Sequence, residues 1–216
     1  MYLTIIFLGI IAFITFRLSA LRKSESSEEK AFWDREHNAN FTPKKDISNL
    51  SYITIPLDKF PSNNIDKEDE RLQNELRELS ERRILNLDNM SNTDLKESFG
   101  VGNLNTMEEI GDNYQKLCSL LIELAKKRIE SGDYEGALHY LEFGVGTKSD
   151  ISQMYTLLGD CYDKLGKTAK ISDLITLVKA MDLPLERSII SSLTAHLPNV
   201  ETDIHETEDT PDTSDV

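Results

Sequence analysis

The chain has 216 residues, 39% hydrophobic and 29% charged, which suits one domain of ordinary size with solvated tails. Its 38 acidic and 24 basic residues leave a net charge of −14, a surface that repels phosphate backbones and disfavours a nucleic-acid partner. Two cysteines, Cys118 and Cys161, are too few for a disulfide scaffold and neither sits in a CxxC pair. They suit buried helix positions in a reducing compartment; a disulfide would need an oxidising compartment and Cα atoms within about 7 Å.

The chain opens with YLTIIFLGIIAFITF, Tyr2 to Phe16. Counting Leu18, Ala20 and Leu21, residues 2–21 approach the roughly 20 residues that cross a bilayer core, with Arg17 near enough to one end to snorkel. A cleaved signal peptide is the alternative, but no basic residue precedes the run and no A-x-A-like site follows it. Residues 1–22 are therefore expected to be a transmembrane anchor. Arg17, Arg22 and Lys23 follow it, and the positive-inside bias puts the C-terminal side in the cytoplasm of a single-pass protein of the cell membrane.

Residues 23–65 read as a linker. Its AFWDREHNANF stretch has helical character, and Phe32 with Trp33, the only tryptophan, suits a membrane interface or a domain cap. LSYITIPLDKFP, residues 50–61, is β-branched and aromatic but interrupted by Pro56 and Pro61. It is expected to be extended, with no strand to pair with. Its apolar side chains predict that it lies along the helices, over the groove or on a flank of the first repeat helix.

Residues 66–117 read as the first helices of the soluble domain. Leu72, Leu76 and Leu79 share a face within a helix over 66–85. Ser91 with Asp94 predicts a capping box, Gly100 and Gly102 a break, and Thr106 with Glu109 a second box opening a long helix through Ile129. The tail over 199–216 is expected to be disordered, because from Glu201 it carries seven acidic residues and no Lys or Arg.

Between residues 118 and 185 the sequence repeats itself with a period of 34: Leu124 and Leu158, Ala125 and Gly159, Gly132 and Gly166, Leu141 and Ile175. Tyr155, Leu158, Gly159 and Tyr162 form a first-helix signature, and GDYEGA (Gly132 to Ala137) forms a turn into a second helix. Pro184 closes the second copy. These residues resemble the tetratricopeptide (TPR) family of helix–turn–helix repeats. The expected fold is all-α: a transmembrane helix, then a TPR-like array of two recognisable repeats with flanking helices and a capping helix over 186–198. Arg128, where the family usually has an aromatic, and Gly144, Ile171 and Val178, where it has small alanine-type residues, depart from the pattern. The whole chain is also similar to small single-pass membrane proteins of bacterial type.

The resemblance implies a concave surface lined by the exposed face of each first helix. It would comprise Ser119, Ile122, Lys126, Ile129 and Glu130 in one copy, and Gln153, Thr156, Asp160, Asp163 and Lys164 in the other. The family's clamp of lysines and asparagines for a terminal carboxylate is not matched. Gly100-Val101-Gly102 and Gly144-Val145-Gly146 lack the strand–helix context of a phosphate loop, and the four histidines are scattered. No catalytic residue, metal, cofactor or small-molecule substrate is expected. The reading is a membrane-tethered interaction scaffold for a protein or peptide. A structural accessory subunit of a secretion, division or transport complex is the alternative, and an enzyme of unrecognised type comes third. Protease added outside intact cells should leave residues 66–197 undigested; digestion there, or a mature chain starting near Glu25, would overturn the topology.

Overall fold

The computed structural model describes Arg17 and residues 28–198 other than 182. The expected anchor, Arg17 apart, and the acidic tail lie outside the described residues. No helix among the described residues is long and apolar enough to cross a membrane. Every regular element described is helical. Residues 28–39 form α1. Then come α2 (Lys67–Ser80), α3 (Asn92–Phe99), α4 (Leu104–Glu130), α5 (Tyr134–Gly146), α6 (Ser152–Lys164), α7 (Thr168–Met181) and α8 (Glu186–Thr194).

Helix boundaries follow local chemistry. Asp66 caps α2 by accepting from the Asp69 N–H at 2.7 Å, and Leu72, Leu76 and Leu79 turn one face inward. The helix stops at Ser80, short of the expected residue 85. Ser91 and Asp94 form the expected capping box. Gly100, at φ +85°, ends α3 in a backbone conformation suited to glycine. The Thr106 box does not form: α4 already begins at Leu104 after a 3-10 turn, so Thr106 lies inside the helix. Asn103 there donates to the carbonyls of Lys45 (2.7 Å) and Phe99 (2.8 Å) instead.

Two cores result. The smaller holds Ile47, Leu95, Met107 and Ile110, under α3 and the start of α4. The larger runs from Tyr114 on α4 through α5 and α6 to Ile189 and Leu193 on α8, with α2 contributing its leucine face. The helices from α5 onward recur at equal spacing. Tyr134 and Thr168 start α5 and α7, and Ser152 and Glu186 start α6 and α8, each pair 34 residues apart. Gly132 (φ +80°) and Gly166 (φ +66°) turn the chain at matching places. Asp133 caps α5 through the Gly136 N–H at 2.9 Å. Lys167 in the second turn reaches Glu135 beside the first at 3.3 Å.

The 50–61 segment packs against the helices without forming a strand. Its Leu57–Lys59 stretch is a 3-10 turn, and the Ile53 N–H donates to the Ile84 carbonyl at 2.8 Å. Ile55 and Phe60 are buried in the larger core. The Phe60 ring lies 4.7 Å from Tyr140 and 5.6 Å from Phe143, both on α5, and it faces Leu76 of α2 across a small cavity. The segment thus starts against the smaller core, where Leu50 and Tyr52 pack with Met107 and Ile110 of α4, and ends with Phe60 wedged beside α2 and the second helix of the first hairpin.

Gly159 faces α8: a Cβ built there would run into the Leu193 side chain, whereas one at Gly146 would meet nothing within 4 Å. Gly159→Leu should therefore overpack the α6–α8 contact and lower stability by about 1–3 kcal/mol. Gly146→Ala should leave stability unchanged or raise it by up to about 1 kcal/mol. Thermal melts of the two variants test this, and an unaltered melting point for Gly159→Leu would mean that α8 does not seat on α6 there.

Candidate functional site

The first-helix face comes from α4 and α6. On α4 the buried positions Leu117, Leu121, Leu124 and Arg128 recur at helical spacing and leave the opposite side to water. Ser119 and Glu130 are exposed there, and Lys126 and Ile129 are half-buried. Ile122 is not on this surface: it is buried in the larger core, so it corrects the expected set. On α6, Gln153, Asp160, Asp163 and Lys164 are exposed and Thr156 is half-buried. The Ser119 and Thr156 hydroxyls fold back onto the carbonyls of Gln115 (3.0 Å) and Gln153 (3.1 Å) one turn earlier.

Two members of the set already have a partner. His196, just past α8, places Nε2 3.0 Å from Asp160 Oδ1 and Nδ1 3.5 Å from Asp163 Oδ2. The end of α8 therefore closes off that end of the face on α6. What stays exposed or half-buried is mostly polar and of mixed charge: Ser119, Lys126, Ile129 and Glu130 on α4, and Gln153, Thr156 and Lys164 on α6. It can bind by hydrogen bonds and ion pairs, with Ile129 as its half-buried apolar element.

A second concave feature lies where three turns meet. A cleft of about 470 Å3 is lined by Asn86, Asp88, Lys148, Asp150 and Met181, among others. Asn86 anchors it, its side-chain amide donating to the Tyr114 hydroxyl (3.0 Å) and to the carbonyls of Thr147 (3.2 Å) and Lys148 (3.0 Å). Lys148 is the one non-glycine described at positive φ, +62°. Asp88 accepts from the Gln115 side chain. Burial, and then the nearby Asp150 charge, raise its carboxyl above the ordinary aspartate value. Sequence reading missed this cleft because residues some 60 positions apart build it, and no local pattern links Asn86 and Asp88 to Lys148 and Asp150.

The two cysteines are free and buried. Burial pushes the Cys118 thiol up and the Cys161 thiol to about 11, so neither carries the thiolate that nucleophilic attack requires. Among the described residues no cluster of metal-ligating side chains occurs.

No protein-family model, curated protein or solved structure matches the chain.

The raised Asp88 carboxyl has a signed consequence. Above its folded-state pKa, its ionised form opposes folding; as the pH falls through that value the proton taken up relieves the cost. Asp88→Asn keeps an acceptor for Gln115 and removes the charge, so it should raise the melting temperature at pH 7, by an amount that shrinks toward pH 3. A lower melting temperature at pH 7 would overturn the desolvation cost assigned to this carboxylate.

Proposed function

We propose that the chain is a membrane-tethered interaction scaffold, with a TPR-like array of helical hairpins that holds a protein or peptide along the open face of α4 and α6. The observation that carries this reading is the repeating register of the array. The starts of α5 and α7, and of α6 and α8, are 34 residues apart, glycines in left-handed conformation stand at both hairpin turns, and α8 begins where a third first helix would. Stacking of this kind spends the apolar side of each first helix on its neighbours and leaves the other side as a continuous strip. Strips of this kind bind extended peptides or partner helices through scattered polar contacts. Residues 2–21, an apolar run of bilayer-spanning length, support the tether.

The structural-subunit reading has its own support on another surface. Leu177 on α7 is 41% exposed, and with Val145, Leu158 and Leu174 it lines a shallow cleft of about 270 Å3 away from the open strip. An apolar flank of this kind suits a permanent neighbour.

The two readings separate by position. Photo-crosslinking side chains placed in membrane-held protein at Lys126 and Gln153 should capture one and the same partner. The same probes at Glu70 on α2 and Lys179 on α7 should not. Equal capture from Glu70 would overturn the strip as the binding face, and capture from Leu177 alone would favour the structural subunit.

A further inference from the structure

Three large aromatic side chains near the start of the described chain stay out of both cores. Phe32 and Trp33 on α1 are 55% and 60% exposed, and Phe41 just beyond it is 73% exposed. Their packing is with each other and with a histidine: Phe32 and Trp33 meet edge to face at 5.3 Å, and Phe41 meets His37 at 5.0 Å. The helix that carries Phe32 and Trp33 is held in place, with Phe32 on the stripe of the holding residues, one turn before them. Arg35 donates to Asp94 (2.5 Å) and Glu97 (2.6 Å) of α3, Glu36 pairs with Lys96 and Thr93, and Ala39 is buried. The polar side of α1 is thus clamped to α3. The charges that make the clamp also move as such a network requires: Asp94 is held down to about 2, chiefly by its Ser91 and Arg35 hydrogen bonds.

We propose that this aromatic face docks on the headgroup layer of the bilayer, beside the anchor. The inference rests on the tether reading above. Its specific support is the short length of chain between the two. The apolar run ends at Leu21 and the described part of α1 begins at residue 28. The six residues between can reach no more than about 20 Å even fully extended, so α1 stays close to the surface. Tryptophan and other large aromatics concentrate at that depth because the ring enters the acyl boundary while its polar edge stays wet. Between residues 22 and 34 the acidic Glu25, Glu28, Glu29 and Asp34 nearly offset Arg22, Lys23 and Lys30, so no net charge calls for anionic lipid and the occupant is a zwitterionic surface. Docking there would hold the helical array at a fixed attitude to the membrane.

Trp33 is the only tryptophan, so the fluorescence of the full-length chain reports on this face alone. The protein is reconstituted into phosphatidylcholine vesicles, with and without bromine on the acyl chains. Flotation with the vesicles tests the tether, and quenching tests the face. Expected are co-flotation, quenching by brominated lipid, and about a twofold gain in acrylamide quenching when Phe32 and Phe41 are both changed to Ser. Co-flotation with Trp33 unquenched by bromine and open to acrylamide overturns the docking and leaves the tether standing. Trp33 shielded from acrylamide but untouched by bromine overturns it too, because a protein surface would then cover the face. Failure to float removes the tether, and the docking with it.

Discussion

Arg128 is the residue around which the helical domain is arranged. Its side chain and that of Asp69 are both fully buried, with Nη2 3.2 Å from Asp69 Oδ2. Nη1 reaches Asn63 Oδ1 at 3.1 Å and Asp133 Oδ2 at 3.4 Å, and Nη2 also donates to the Asn63 carbonyl. One guanidinium therefore ties together the end of the docked segment, helix α2, helix α4 and the α4–α5 turn. A buried pair of this kind adds little net stability, because desolvation offsets the attraction. Its force is in the alternative: either charge left alone in that place would cost about 3–5 kcal/mol. Competing placements of α2 or of the turn strand one of these groups, so the pair selects a single arrangement.

The rest of the N-terminal half follows from that selection. Asp69 also accepts from the Ile65 N–H at 3.0 Å and the Gln73 side chain at 2.9 Å, so the chain enters α2 at a fixed angle. With α2 held on α4, Phe60 packs against Tyr140 of α5 and faces Leu76 of α2 across a small cavity. The second hairpin has no such wedge. There Tyr162 stands at the repeat position of Arg128, and its hydroxyl donates to Glu142 at 2.8 Å. The departure from the repeat pattern at Arg128 thus marks the hairpin that must accept α2 and the docked segment.

Local signals in the sequence were legible and distant ones were not. The Ser91–Asp94 box, the left-handed turns at Gly132 and Gly166 and the leucine face of α2 each depend on residues within two helical turns, and each formed. The Thr106–Glu109 box had the right residues, but Asn103 found acceptors at Lys45 and Phe99, and the helix started earlier. Ile122 was placed on the surface by family pattern, while its own apolar character pointed inward, where it is found. Arg128 looked like a misfit because Asp69, which neutralises it, lies 59 residues away. The same distance hid the Asn86 cleft. A docked path for residues 50–61 could be inferred from the cost of leaving them wet; its position against α5 could not, because that depends on where Arg128 puts α2.

The two ends of the domain are coupled through α4. Its 27 residues span about 40 Å as one helix. Met107 and Ile110 belong to the smaller core with α3, while Tyr114 and everything after it belong to the larger. The α3 helix carries α1 through the Arg35 and Glu36 pairs, and the distal half of α4 carries the first hairpin. One continuous helix therefore connects the end that carries α1, through α3, to the hairpin that carries the open face. Exposed ion pairs such as that of Arg35 are individually weak. Here several converge on one short helix, and Ala39 seals the contact beneath them. The path from the aromatic side chains to the open face thus runs through packed helices, α1 to α3 to α4, with α4 as its unbroken element.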